Sequence, residues 1–382
     1  MKKIATLIVL GVVALCGAPP SFAAVVKIGF PTCLSGPGAG YGKNTSEAVQ
    51  MAVDEVNKSG ILKGDTLEAI ITDGKCAPRE ASLAAEKLVT ENNVTVLLGA
   101  VSSSASLAVK AVAERESVPM LEGVAGTDAL TQKGNKFVFR VVPNIAMYTE
   151  FATDYFCNVL KPKRVAYVFQ DDDFGSETVK LSRAGLEACG AKTVGWFPGT
   201  PAETNFQTVI TELKPQKPDV TFIIRWPPSA IAFLRQADEA GFHSTWFNIG
   251  SLSGPDFTAA AGKFAEGFMG VNVFEPSSKR PEAKRFVEDF TKRFGHEPDW
   301  FAAGYYTCVK VVADAVRRGG STRAGITKAL AATKDLPSIL GPISFDETGQ
   351  APSFFTLFKY TGGKRVVLRE SVRVGPRFKA VE

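Results

Sequence analysis

Residues 95–121 read TVLLGAVSSSASLAVKAVAERESVPML. A short apolar run, Thr95–Leu98, ends at Gly99, and three serines follow. Ser104–Glu116 then spaces its apolar residues as a helix does, and Val118–Leu121 is apolar again. Strand, helix and strand in that order form a βαβ unit, in which a crossover helix joins two parallel strands. Ser102, Ser103 and Ser104 therefore stand where a strand ends and a helix begins. One hydroxyl there suffices as an N-cap, because it accepts a bond from a free backbone N–H. A binding use is the alternative, since free N–H groups and neighbouring hydroxyls attract a carboxylate or phosphate.

The same alternation runs outward in both directions. Upstream, Val25–Pro31 reads as a strand, Thr45–Lys58 as a helix opened by an Asn44/Glu47 capping box, Leu67–Thr72 as a strand and Pro78–Asn92 as a helix. Phe137–Val142 is a further strand. A second series starts at the helix Tyr148–Leu160 and continues through strands Arg164–Phe169, Thr193–Phe197, Val220–Arg225, Trp246–Ile249 and Phe268–Val273. Helices at Gly175–Cys189, Phe206–Leu213 and Pro228–Ala240 separate the strands of that series. Helices Pro281–Phe294, Trp300–Arg318 and Thr322–Ala332 follow, and strands Phe354–Tyr360 and Val366–Arg373 close around a Thr361-Gly-Gly turn. The pattern predicts an α/β protein of two Rossmann-like lobes with parallel sheets covered by helices. Ligands of such sheets bind beyond the carboxyl ends of the strands, the edge that carries the serines.

Bulk composition excludes several classes. The 382 residues suffice for two or three domains, and 45% hydrophobic with 22% charged is ordinary for globular proteins. A net charge of +5 without a Lys/Arg block gives no nucleic-acid footprint. The two histidines, His243 and His296, lie far apart, and no His/Cys/Asp/Glu group has metal-ligand spacing, so no metal or cofactor is expected. Lys2 and Lys3, the apolar run Ile4–Leu15 and Ser-Phe-Ala before Ala24 make residues 1–23 a secretory signal peptide, cleaved after Ala23. Its apolar run is short for a membrane span. A lipid anchor on Cys16 fits less well, because Leu15 rather than a small residue precedes it.

Export makes disulfides expected among Cys33, Cys76, Cys157, Cys189 and Cys308. Cys33 follows the first strand and Cys76 the second, which predicts a Cys33–Cys76 bridge if those strands are neighbours. Cys157 and Cys189 sit on helices of one lobe and form the second expected pair.

Candidate chemistry was weighed at each strand end. Gly36-Pro-Gly38-Ala-Gly40 approaches a dinucleotide fingerprint but lacks the third glycine, since Tyr41 or Lys43 stands there. A glycine turn chosen for close packing explains it better. There is no G-x-S-x-G elbow, and His243 after a helix and His296 between helices each read as ordinary surface histidines rather than triad members. Asp171-Asp172-Asp173 is a polar turn before a helix or a site edge. Arg225-Trp226 ends a buried strand, where the guanidinium offers a two-pronged grip on a carboxylate and the indole a face for a ring. An Arg paired to a neighbouring acid and a Trp capping the core is the structural alternative.

LSGPGAGYG, DGKCAP, LLGAVSSS, FRVVPN, FLRQADEAGF, FAEGFMGVNVF and LGPISFDETGQ together resemble the periplasmic solute-binding proteins of ABC importers, in the leucine/isoleucine/valine-binding family. The resemblance runs from Val25 to about Tyr360 and implies the type I periplasmic binding protein fold. Its three-crossover hinge would fall near Pro143, Phe274 and Gly349. Lobe one would then hold 24–143 and 275–349, and lobe two 144–274 and 350–382. It further implies a ligand carboxylate on Ser102 and Ser103, with Ala125, Gly126 and Thr127 adding bonds and Tyr41 and Phe174 as flanking aromatics; the strand-end residues Asp172, Arg225, Trp226 and Ser251 of this sequence are the candidates on the second lobe. The family's glutamate for the ligand ammonium has no counterpart, because Asn248-Ile249-Gly250-Ser251-Leu252 stands there.

An unpaired ammonium in a closed cleft is costly. The expected ligand is therefore a carboxylate without an α-ammonium, such as an aromatic or other hydrophobic acid. A branched-chain amino acid is the alternative, with Glu122 or Asp172 as its ammonium partner. The expectation is a non-catalytic, monomeric periplasmic receptor that delivers its ligand to the permease subunits of an ABC importer. A secreted hydrolase and a sensory module are the competing classes. Turnover of a bound ester or amide would select the hydrolase.

Overall fold

The computed structural model describes residues 23–278, 280–352, 354–374 and 377–380. The signal peptide expected over residues 1–23 falls outside them but for Ala23. In the first lobe β1 (Val25–Thr32), α1 (Ala39–Ser59), β2 (Thr66–Asp73), α2 (Pro78–Thr90), β3 (Val96–Leu98), α3 (Ser103–Arg115), β4 (Met120–Glu122) and β5 (Val138–Arg140) follow in turn. Their strands form a parallel sheet of order β2-β1-β3-β4-β5. Val96, Leu97 and Leu98 are all fully buried, as a strand covered on both faces must be.

The chain then builds α4 (Ile145–Tyr155), β6 (Arg164–Gln170), α5 (Asp173–Ala188), β7 (Lys192–Gly199), α6 (Gln207–Leu213), β8 (Val220–Ile224), α7 (Pro227–Glu239), β9 (Thr245–Ile249), α8 (Pro255–Ala261) and β10 (Met269–Asn272). It returns to the first lobe as α9 (Pro281–Phe294), α10 (Trp300–Gly319) and α11 (Arg323–Ala331), with α10 packed on α1 and α11. It ends beside β10 as β11 (Phe354–Thr361), β12 (Lys364–Val374) and β13 (Arg377–Ala380).

Two expectations change. The second sheet, of order β13-β12-β11-β10-β9-β8-β6-β7, is not wholly parallel, because β11, β12 and β13 run antiparallel at its edge. The reason is the turn at Gly362 and Gly363, with φ of 59° and 73°, a two-residue hairpin that side chains disfavour. The helix placed at Thr45 starts at Ala39, so Asn44 is not its cap but a buried residue whose Nδ2 donates to Asp299 Oδ2 at 3.0 Å. Glycine permits the early start: a Cβ on Gly42 would lie 1.8 Å from the Cys33 carbonyl oxygen.

Thr32 on β1 pairs with Asp73 on β2, which brings Cys33 and Cys76 to one sheet edge, where they are bonded. Cys157 and Cys189 are also bonded, and Cys308 is a buried free thiol. Among the described residues no helix is long and apolar enough to cross a membrane, and no group of three or more His, Cys, Asp or Glu is placed to hold a metal.

Candidate functional site

The carboxyl ends of β3 and β4 in one sheet face those of β6, β8 and β9 in the other across a cavity of about 520 Å³, counting its mouth. Ser102, Ser103, Ala125, Gly126, Asp172, Phe174, Arg225, Trp226 and Ser251 all line it.

On the first lobe, Ser102 caps α3 by accepting from Ala105 N at 3.3 Å, and Ser103 Oγ accepts from Thr127 N at 3.3 Å. Both oxygens act as acceptors there, so each hydroxyl hydrogen is left to donate. The first N–H groups of a helix have no partner inside it. Hydroxyls, N–H groups and the positive end of the helix dipole thus converge as a seat for a carboxylate.

The adjoining turn, Val124–Gly126, is fixed from behind by two buried ionisable side chains. Glu122 Oε1 accepts from Val124 N and Ala125 N, each at 2.8 Å, and from Tyr305 Oη at 2.9 Å. Tyr305 Oη also accepts from Val101 N at 3.1 Å, so one tyrosine braces both ligand-side turns. Burial pushes the Glu122 carboxyl above its usual range. Arg140 donates to Ala125 O at 3.1 Å and Thr127 O at 2.7 Å, and burial lowers its guanidinium to about 10, still protonated at neutral pH. Gly126 O is taken by Ile145 N at 2.7 Å. The turn's carbonyls are therefore engaged inside the protein, with a cation behind them.

On the second lobe, Asp172 caps α5. Its Oδ1 accepts from Gly175 N at 2.9 Å and its Oδ2 from Gln170 Nε2 at 2.6 Å. Burial outweighs those bonds and raises its carboxyl to about 6. Arg225 departs from the two-pronged reading: its terminal nitrogens donate to Thr200 O and Glu203 Oε2, each at 2.9 Å, and its guanidinium lies 4.9 Å from the Phe206 ring centre. Its fork is turned to its own lobe, as in the structural alternative, and only Nε is left without a partner.

Tyr41 and Thr127 stand outside the cavity wall. Tyr41 is stacked on Phe301 at 4.0 Å between ring centres, and its hydroxyl donates across the lobes to Ser251 O. Thr127 is buried behind Ser103. Sequence reading missed Tyr148, Gln170, Trp300 and Phe301, which complete the wall. Gln170 was within reach, since it is the last residue of β6 and so lies on the binding edge. Trp300 and Phe301 carry no local signal; α10 brings them in from the returning segment, and Trp300 Nε1 donates to Gly250 O on the opposite lobe at 2.6 Å. Tyr148, Phe174, Trp226, Trp300 and Phe301 contribute five aromatic rings to the wall.

The family model described as periplasmic binding protein matches residues 25–364. Leu/Ile/Val-binding protein homolog 3 of Brucella melitensis is 26% identical over 346 residues, covering 90% of this chain and 93% of that protein. The branched-chain amino acid transporter substrate binding protein LivJ of Streptococcus pneumoniae, solved in complex with isoleucine, is 26% identical with a TM-score of 0.84, covering 91% of this chain and 99% of its own. An ABC transporter solute binding protein of R. palustris, in complex with benzoate, has the same TM-score of 0.84 at 23% identity, covering 90% and 96%; that likeness concerns the fold.

Proposed function

The chain belongs to the periplasmic binding protein family, and on that premise we propose that it is the non-catalytic, extracytoplasmic receptor of an ABC importer for a small aromatic or other hydrophobic carboxylate. The signal peptide directs export. The lobes, 24–143 with 275–349 and 144–274 with 350–382, close on the ligand about crossovers near Pro143, Phe274 and Gly349. The closed monomer then presents the ligand to permease subunits.

One observation carries the ligand class: a carboxylate seat with no unengaged carboxylate in the cavity wall to pair an ammonium. Ser102 and Ser103 offer hydroxyl hydrogens, whereas Asp172, the acid in the cavity wall, already accepts from Gly175 N and Gln170 Nε2, and Glu122 stands behind the wall with Oε1 engaged by Val124 N, Ala125 N and Tyr305. The carbonyl oxygens of Ala125, Gly126 and Thr127, which an ammonium would seek, already accept from Arg140 and Ile145. An ammonium there would meet neutral acceptors such as Gln170 Oε1 but no unengaged carboxylate, so its hydration would be replaced only in part. The aromatic wall suits a planar ring. The second reading, a branched-chain amino acid, rests on Asp172 lining the cavity and on the names of the relatives.

Thermal unfolding of refolded, ligand-stripped protein separates the two. Leucine, isoleucine, valine, phenylalanine, benzoate, phenylpyruvate and cinnamate form the panel. A ligand at a hundred times its dissociation constant stabilises the fold by about 2.7 kcal/mol. Shifts with the amine-free aromatic acids are expected. Shifts confined to amino acids would overturn the reading and assign Asp172 to the ammonium.

A further inference from the structure

Eleven buried side-chain polar atoms have no hydrogen-bond partner among the described residues, and three of them belong to residues that line the cavity: Tyr148 Oη, Gln170 Oε1 and Arg225 Nε. Their residues are 2%, 3% and 1% exposed. Buried polar groups are nearly always paired, so orphans gathered in one cavity point to what the cavity holds.

Two of them are neighbours. Phe169 on β6 pairs with Ile224 on β8, so the next residues, Gln170 and Arg225, stand side by side at the carboxyl edge of the sheet. Equivalent positions on adjacent strands send their side chains to the same face. Bonds elsewhere decide which atom of each is left over. Gln170 Nε2 is held by Asp172 Oδ2 at 2.6 Å, which fixes the amide and leaves Oε1, an acceptor. Arg225 spends its terminal nitrogens on Thr200 and Glu203, which leaves Nε–H, a donor.

The second lobe therefore offers one acceptor beside one donor. An ammonium only donates; it would answer Gln170 and bring a positive charge against the guanidinium. A carboxylate or ether only accepts; it would answer Arg225 and set its lone pairs against Gln170 Oε1. A hydroxyl does both. We propose that Gln170 Oε1 and Arg225 Nε form a hydroxyl-recognition site, and that the ligand is a hydroxylated aromatic acid spanning the cleft. Its carboxylate sits on Ser102 and Ser103, its ring lies against the aromatic wall, and its ring hydroxyl donates to Gln170 and accepts from Arg225. This assignment rests on the amine-free aromatic acid reading above.

Calorimetric titration of the ligand-stripped wild type tests it without any variant. The probes are benzoate and cinnamate, their ring-hydroxylated forms, the matching methoxy ethers, and leucine. At least one hydroxylated acid is expected to bind ~10-fold or more tightly than its parent, with its methoxy ether losing that gain. Gln170→Met should collapse the ratio of the two affinities. Equal binding of parent and hydroxylated acids would overturn the hydroxyl site and leave the aromatic-acid reading standing. A methoxy ether that binds as well as the hydroxyl would overturn the donor role of the ligand. Binding of leucine alone, or of none of the aromatic acids, would overturn both readings.

Discussion

Asp172 combines two properties that are usually separate: it caps a helix with Oδ1 and holds a cavity side chain with Oδ2. Burial raises its carboxyl from an ordinary 3.8 to about 6. Below the lower value both folded and unfolded chains hold the proton, and the two do not differ. Between the two values the folded chain keeps a proton that the unfolded chain has lost, so this residue's contribution to stability declines as pH rises. Asp172→Asn keeps an N-cap oxygen and removes the titration. Urea unfolding should show the variant gaining on wild type between pH 4 and pH 7, by at most about 3 kcal/mol for a shift of this size. A difference independent of pH would mean that the carboxyl titrates at its ordinary value. The same bond fixes the Gln170 amide, so a hydroxyl preference should also weaken as Asp172 takes up its proton.

At the scale of elements, the first lobe's site is held by short pieces tied to their neighbours. The glycine-rich start of α1 lies against the Cys33–Cys76 bridge, and a Cβ on Gly38 would meet Cys76 Sγ at 3.0 Å. The bridge closes a separation of 43 residues that contains all of α1 and β2. Replacing both cysteines by serine should lower stability by about 2–5 kcal/mol, checked by unfolding under oxidising and reducing conditions. Wild type should fall toward the variant once reduced, and equal stability of variant and oxidised wild type would remove the bridge from the account. Cys33, Cys76, Ser102 and the turn after β4 were all legible because alternation locates strand ends, and parallel sheets collect those ends on one edge. The true start of α1 was not, because Asn44 and Glu47 have capping-box spacing while the decisive contact, Gly42 against Cys33, is between segments.

For the whole molecule, hydrogen bonds join the two lobes across the cleft. Tyr41 Oη donates to Ser251 O, Trp300 Nε1 to Gly250 O, and Asp173 N to Ser104 Oγ. Tyr41 and Trp300 belong to helices of the first lobe; Gly250 and Ser251 follow β9 in the second. Such bonds bias a population between open and closed forms, and the apparent affinity scales with the closed fraction. Tyr41→Phe keeps the ring stacked on Phe301 and removes one bond across the lobes. Its loss, about 1 kcal/mol, should weaken ligand binding about fivefold while leaving the unfolding of the ligand-free protein nearly unchanged. Unaltered affinity in calorimetric titration would show that this bond does not govern closure.

The sequence by itself determined the α/β class, the two series of strands, the strand-end edge that carries the candidate site, the Cys33–Cys76 pair and the hydroxyl-bearing start of α3. These follow from local periodicity and from residues adjacent to strand ends, both written along the chain. Only the tertiary structure decided the direction in which Arg225 spends its fork, the engagement of Glu122 and Asp172, and the arrival of Tyr148, Trp300 and Phe301 in the cavity wall. Whether a buried polar atom is free depends on partners that the folded chain brings from distant segments, as Glu122 meets Tyr305 and Tyr41 meets Ser251. Sequence shows which groups exist at a site; packing decides which of them remain available to a ligand.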